Sequence, residues 1–267
     1  MRGKCCNFVL RMDKDNKISV VINTRNAALH LREVLEAVKD FDEIVVCDME
    51  SDDDTLAIAR EFRCRVITFP AGEHRIVEPA RDFAIHQAAH PWVLVVDADE
   101  LITPQLRDYL YHHIASDTAA AGVRIPRANY FMGRFMHGNY PDHQLRFFRR
   151  DATRWPATIH AQPVVDGEVT TIAAGRRELA IDHRHADDDI NSRLHKIAVY
   201  SDQEVLKRAH KRYSLLTLLL RPAAMFFKHY FLKGSYRDGF PGFIFTSLHA
   251  LYQFIFLSKL RAARRRK

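Results

Sequence analysis

The chain has 267 residues, 47% of them hydrophobic, and a formal net charge of +7 from 40 basic against 33 acidic side chains. That length and composition suit one α/β domain with an appendage and exclude a globally disordered chain. The basic surplus is concentrated in Lys259 to Lys267, nine residues with six basic side chains and no acid, and the apolar sequence before this tail points to an anionic membrane surface rather than nucleic acid.

Residues 1–17 read as an N-terminal extension, whose apolar stretch is too short and interrupted for a secretory signal. The four cysteines, Cys5, Cys6, Cys47 and Cys64, form no CxxC pair or disulfide framework. Both features predict a cytoplasmic protein. Ile18 to Ile22 form a β-branched run that predicts a strand, followed by a loop at 23–26. Residues 28–39 have helical spacing, with Leu31, Val34, Leu35 and Val38 on one face. Residues 43–47 predict a second strand, 48–54 an acidic loop and 55–62 a helix. A third strand at 65–69, a helix at 79–89 and a very apolar strand at 92–96 follow. This βαβαβαβ order implies a mostly parallel sheet flanked by helices. Residues 120–180 alternate short strands (122–125, 145–149, 163–165) with loops rich in His, Arg, Trp and Tyr. From His195 the pattern turns helical. Residues 213–258 are strongly apolar, with breaks expected at Arg221-Pro222 and at Gly234 to Gly242. The expected division is 18–195 for the main domain, with halves 18–101 and 102–195, and 196–267 for C-terminal amphipathic helices and the tail.

In such sheets ligands bind beyond the carboxyl ends of the strands. Thr24 and Asn26 follow strand one, Asp48, Ser51 and Asp52 strand two, and Asp97 and Asp99 strand four. Neither GxGxxG nor GxxxxGK[ST] occurs, so phosphates need another holder. Carboxylates two apart, Asp97-Ala98-Asp99, offer hard oxygens that suit Mg²⁺ or Mn²⁺ beside a diphosphate. Asp48 is placed to accept hydrogen bonds from a base or ribose, whereas Asp53 or Asp54 reads as a cap of the following helix. Arg81 opens a helix towards the same crevice and can reach ribose, base or phosphate. In Tyr140-Pro-Asp142-His-Gln144-Leu-Arg146-Phe-Phe-Arg149, Asp142 can deprotonate a hydroxyl. Arg146 and Arg149 are expected to share a strand face towards phosphate or acceptor, with Gln144 beside them. The histidines His137, His143, His160, His183 and His185 show no zinc spacing, but one of them can complete a metal shell.

These pieces together resemble glycosyltransferase family 2, the inverting GT-A class. The resemblance rests on Ser19-Val-Val-Ile-Asn-Thr24-Arg-Asn26, Val45-Val-Cys-Asp48, Ala80-Arg81-Asp-Phe-Ala and Val95-Val-Asp97-Ala-Asp99-Glu100. The segment from Pro141 to Arg149, with Ile159-His160 after it, and Lys233-Gly-Ser-Tyr-Arg-Asp-Gly-Phe-Pro-Gly242 resemble the subgroup of lipopolysaccharide-core glucosyltransferases. The resemblance implies a GT-A fold and transfer of a sugar, commonly from a UDP-sugar, to a saccharide or lipid-linked acceptor. It implies nucleotide-sugar contacts from Thr24, Asn26, Asp48, Arg81 and Asp97, a metal at Asp99 with His160, acceptor or phosphate contacts from Gln144 and Arg146, and Asp142 as general base. The chain departs from the pattern at Ala27 and Ala28, where glutamates are frequent, and at Asp82, where Asn is usual.

Phe240 to Leu257 is long enough to be a borderline membrane span. Its polar interruptions, and those of 213–231, favour helices lying on the inner membrane face, anchored by the tail. Two rival readings are weighed against this one. A metal-dependent nucleotidyltransferase would want a Gly- and Lys-rich phosphate loop near the N-terminus, which is not visible. An inactive membrane-bound scaffold has only Ala27 and Ala28 in its favour.

Overall fold

The computed structural model describes residues 16–70, 77–158, 161–184, 190–211 and 213–265. The first half of the chain runs β1 (Ile18–Thr24), α1 (Ala28–Val38), β2 (Glu43–Asp48), α2 (Thr55–Glu61), β3 (Arg65–Thr68), α3 (Glu78–Gln87), β4 (Trp92–Asp97), β5 (Glu100–Leu101) and α4 (Pro104–Ile114). Then come β6 (Gly122–Ile125), β7 (Arg127–Phe131), β8 (Arg134–Phe135), β9 (Gln144–Arg149), β10 (Thr153–Arg154), β11 (Val164–Val165), β12 (Val169–Thr171) and β13 (Ile181–His183). Helices α5 (Ile190–Lys207), α6 (Leu215–Phe227) and α7 (Gly239–Arg265) complete it. The chain forms two compact units: one holds the described residues up to Ile125 with Gln144–Ile172, the other Pro126–His143 with those from Ala173 onward.

The first unit is built on a seven-stranded sheet of order β12-β6-β9-β4-β1-β2-β3. Strands β1 to β4 are mutually parallel, as βαβ crossovers require. Strand β9 enters antiparallel to both β4 and β6. Side chains alternate across the strands. Val21, Val45, Cys47, Val93 and Val95 thus share one face, where they cluster with Ala80, Ala84 and Ile85 of α3. Helix α1 buries Leu31, Val34, Leu35 and Val38, the stripe its spacing predicts. The register places Thr24 opposite Asp48 and Asn23 opposite Asp97. The carboxyl ends of β1, β2 and β4 therefore finish level, and the chemistry-bearing side chains gather there.

Helix α4 was not anticipated. Its start is nevertheless written locally: Thr103 accepts a hydrogen bond from the Leu106 amide at 3.1 Å, and Pro104 occupies the first turn. It buries Leu106, Leu110 and Ile114.

In the second unit β7 pairs in parallel with β13 and antiparallel with β8. Phe131 and Met136 pack on Phe245 of α7, and the Arg193 guanidinium lies over both Phe131 and Phe245. Phe256, Leu257 and Leu260 of α7 pack with Val205 and Leu218. The expected break at Arg221-Pro222 does not occur: α6 runs through Pro222 to Phe227. An internal proline removes one helical hydrogen bond at a cost of about 3 kcal/mol, here offset by packing of α6 on α7, as in the Phe226–Phe243 contact at 5.7 Å. The helix ends instead in a π-helical turn at Lys228–Leu232, closed by the Lys233 amide on the Lys228 carbonyl, and Gly234 then turns left-handed with φ +79°.

Candidate active site

Asp48 is buried and fully engaged. Its carboxylate accepts from the Thr24 hydroxyl at 2.9 Å, the Ser51 amide at 2.9 Å and the Ser51 hydroxyl at 2.5 Å. It thereby organises the loops after β1 and β2, whichever ligand it also meets. Asn26 has φ +52°, a left-handed conformation that Asn tolerates. Its amide donates to Ser51 Oγ at 2.9 Å, and its side-chain oxygen accepts from the Asp52 amide at 3.0 Å.

The departures at Ala27 and Ala28 have a structural counterpart. The Ala27 amide donates to Thr55 Oγ1 at 2.8 Å and the Ala28 amide to Asp53 Oδ2 at 3.0 Å. The start of α1 is thus capped from the neighbouring loop, so side chains at 27 and 28 are not needed for it. Asp53 Oδ1 also accepts from the Thr55 amide at 2.9 Å. Desolvation raises the Asp53 pKa, but these hydrogen bonds outweigh it and hold the carboxyl below its usual range. Asp54 occupies the cap position of α2 without a side-chain capping bond; of the two acids considered as caps, Asp53 is the one that binds helix-end amides.

Asp97 sits between two arginines. Arg81 of α3 pairs with Oδ1, and Arg146 of β9 pairs with Oδ2. Glu100, wholly buried, accepts from the Asp97 amide at 2.9 Å and lies 3.5 Å from Arg146. Two carboxylates and two guanidiniums therefore balance, which makes their burial tolerable. Trp155 roofs the pair: the Arg81 and Arg146 guanidiniums stand 5.0 and 6.0 Å from its ring. Asp82 accepts from the Trp155 backbone amide at 2.6 Å, and the indole Nε1 donates to the Ala161 carbonyl at 3.1 Å; an Asn at 82 could accept the same bond, so the structure gives no reason for Asp there.

Arg146 reaches Asp97 because β9 changes register against β6 between Val123 and Arg124, whose partners are Phe147 and Leu145. Arg146 is the residue left over, and such a bulge re-aims its side chain. Arg149 instead is exposed and pairs with Asp151 at 3.0 Å. The expectation that Arg146 and Arg149 share a face is therefore corrected: residues three apart on a strand do not project together, and only Arg146 joins the site.

Asp99 lies in the turn after β4, half-buried. Among the described residues no group of three or more His, Cys, Asp and Glu side chains assembles a metal site. A hard cation held by one or two carboxylates and substrate phosphates does not need one. His160 and His185 lie outside the described residues. Gln144 begins β9, opposite Ile125.

Asp142 belongs to the second unit. Its Oδ2 accepts from Arg127 Nε at 3.0 Å, Arg127 Nη2 at 2.6 Å and Asn129 Nδ2 at 3.2 Å. This fixes the carboxylate firmly. His183 Nδ1 is 2.7 Å from Asn129 Oδ1, and His137 Nδ1 is 2.6 Å from the wholly buried Asp238. These two histidines thus serve the loops around Asp142.

Sequence reasoning missed three contributors. Trp155 has no local signal tying it to the site. Glu100 was read only as part of the acidic motif. Asn23, opposite Asp97 on β4 and Cys47 on β2, has its side-chain polar atoms out of solvent at the level of the site.

The family model described as glycosyl transferase family 2 matches residues 19–184. A lipopolysaccharide core biosynthesis glycosyltransferase, LpsC of Rhizobium meliloti, is 28% identical over 256 residues, covering 91% of both chains. An uncharacterised glycosyltransferase of Rickettsia felis is 27% identical over 266 residues, covering 92% of this chain and 89% of its own. Among solved structures, S. aureus TarS 1-349 covers 94% of this chain and 91% of its own at 15% identity and a TM-score of 0.48. The mannosyltransferase PcManGT of Pyrobaculum calidifontis, in complex with GDP-Man and Mn²⁺, covers 92% and 74% at 15% identity and a TM-score of 0.48. With more than half its length matched, and the mostly parallel GT-A sheet in place beneath the matched motifs, the chain belongs to glycosyltransferase family 2.

Proposed function

We propose that this glycosyltransferase moves a sugar from a nucleoside-diphosphate donor, a UDP-sugar by family habit, to a lipopolysaccharide-core or other lipid-linked glycan acceptor, with inversion at C1. The observation that carries it is the Arg81–Asp97–Arg146 cluster at the level ends of β1, β2 and β4, where a family 2 enzyme holds its donor. Thr24, Asn26 and Asp48 shape the nucleoside side. Arg81 and Arg146 present guanidiniums to the diphosphate while Asp97 keeps them oriented. Gln144 stands at the acceptor side of β9. Asp99 would hold Mg²⁺ or Mn²⁺, which neutralises charge on the departing diphosphate when bound. The acceptor hydroxyl gives its proton to Asp142 as its oxygen bonds to C1, and the C1–O bond to the diphosphate breaks with the electron pair leaving on the phosphate. Arg127 and Asn129 aim the carboxylate for that transfer.

The acceptor reading extends to the membrane. No side chain of α6 is buried, and Leu215, Leu216, Leu219 and Leu220 are 55–63% exposed. Helix α7 is long and apolar enough to cross a membrane by length and composition. Its Lys259 is tied to Ser201 and Asp202 of α5, and Phe256, Leu257 and Leu260 are buried, which supports lying on the inner face of the membrane over crossing it.

A panel of UDP-, GDP- and other nucleotide sugars, each with Mn²⁺ or Mg²⁺, tests the reaction by release of free nucleoside diphosphate. One donor class is expected to be hydrolysed slowly without acceptor. Failure of every donor to bind or turn over would overturn the reading.

A further inference from the structure

The second unit carries an open cleft of about 550 Å³ whose polar lining includes Asn129, Asn139, Asp142, His229, Lys233 and His249. We propose that this cleft binds an anionic saccharide, a sugar bearing a phosphate group, with Lys233 on the phosphate. This deepens the glycosyltransferase reading, on which it rests, by naming the chemical class of the acceptor.

The charge balance of the lining leads to that class. The Asp142 carboxylate is already met by the Arg127 guanidinium and the Asn129 amide. Lys233 has no carboxylate partner among the described residues. Asp142 is the one other charged side chain in the described lining, and its charge is taken up by Arg127; beside them in the lining are the stacked imidazoles of His229 and His249, whose centroids are 5.1 Å apart at 21°. Burial above all pushes both imidazoles down, followed by the positive charges of Lys233 and Lys228 for His229, and by His229, Arg193 and then Lys233 for His249, which falls to about 4. At neutral pH each is an uncharged ring that donates one hydrogen bond and accepts another, as sugar hydroxyls require. Asn129 and Asn139 add side chains of the same two-way character. One cation among groups that both give and take hydrogen bonds suits a hydroxylated anion, and the volume suits roughly a mono- or disaccharide.

The backbone is arranged for this. The π-helical turn at Lys228–Leu232, a distortion frequent at functional sites, carries His229 and is closed by the Lys233 amide. The facing loop is held by Asp238, which accepts from the His137 amide at 3.0 Å and the Gly138 amide at 3.4 Å.

Calorimetric titration of the full chain with glucose 6-phosphate, glucose and inorganic phosphate tests the proposal. Glucose 6-phosphate is expected to bind at least tenfold more tightly than either of the others. Lys233→Ala should abolish that preference and Lys233→Arg should keep most of it, with melting temperatures of both variants showing an intact fold. Equal affinities for glucose and its phosphate, a preference that survives Lys233→Ala, or inorganic phosphate matching glucose 6-phosphate would each overturn it. Donor hydrolysis, measured separately, tells the failure of the transferase reading from the failure of this one.

Discussion

Asp97 shows how a motif residue can be placed by sequence and still be misjudged in its surroundings. The acid pair after the fourth strand, Asp48 and Arg81 are legible from strand ends alone. The partners of Asp97 are not, because Arg146 arrives through a bulge and Trp155 through a loop, and neither leaves a periodic signal. Arg146 is 5% exposed in its side chain and faces both Asp97 and the wholly buried Glu100. Replacing it by Met takes a cation away from the wholly buried Glu100 and one of its two arginines from Asp97, whose pair with Arg81 remains. Arg146→Met should therefore lose roughly 3 kcal/mol of stability at pH 7, read as a lower urea midpoint, and recover part of it near pH 4 as the carboxyls protonate. A midpoint unchanged at pH 7 would show that the pair contributes nothing net. Asp142 calls for a kinetic measure instead. Asp142→Asn keeps the shape and the Asn129 contact but cannot take a proton, so kcat should fall by roughly 10²- to 10⁴-fold with donor KM nearly unchanged. A loss in donor KM alone would assign Asp142 to binding.

Elements divide in the same way. The alternation of the first four strands and the stripe of α1 were readable because local period and tertiary burial agree. The start of helix α4 is written in Thr103-Pro104, whereas the run of α6 through Pro222 depends on packing that no local rule states. In Lys233 to Gly242 the glycines carry a steric message. A Cβ on Gly242 would stand 2.1 Å from the Ser235 carbonyl oxygen and 2.7 Å from Asp238 Cβ, whereas one on Gly175 would meet nothing within 4 Å. Gly242→Ala should cost roughly 2 kcal/mol and Gly175→Ala almost nothing, a contrast that paired thermal melts can read. The stack of His229 on His249 gives the C-terminal helices a pH dependence. Burial holds His249 at about 4, below the ordinary value of 6.5. Between those values the unfolded chain binds a proton that the folded chain refuses, so stability falls as pH drops through that window. The loss should reach about 2 kcal/mol at pH 5. His249→Gln should flatten the profile of denaturation midpoint against pH between 7 and 5, and an unchanged slope would place its origin elsewhere.

At the scale of the whole molecule, the second unit gathers Pro126–His143 from mid-chain with the C-terminal helices. That interleaving has no linear signature, because composition reports what a segment is made of and not what it packs against. The apolar surface of those helices, by contrast, was foreshadowed by composition. Leu216 and Leu220, one turn apart, are 63% and 57% exposed, and Phe227 and Phe231 continue the apolar stripe at 56% and 51%. Six basic side chains from Lys259 to Lys267 add positive charge, each contributing about 1 kcal/mol near an anionic surface. The full chain should float with vesicles containing phosphatidylglycerol and much less with vesicles of phosphatidylcholine alone. Raising salt from about 0.05 M to about 0.5 M should weaken the first association by screening the tail. Leu216→Glu with Leu220→Glu should abolish flotation on both, since the stripe supplies the apolar contact. Replacing Arg261, Arg265, Arg266 and Lys267 by serine, with Lys259 and Arg264 kept for their contacts to Asp202 and Ala209, should weaken only the preference for anionic lipid. Undiminished flotation of the double glutamate variant would mean that α6 is not the contact face, and flotation unaffected by salt or by the serine tail would mean that the charge has no part in it.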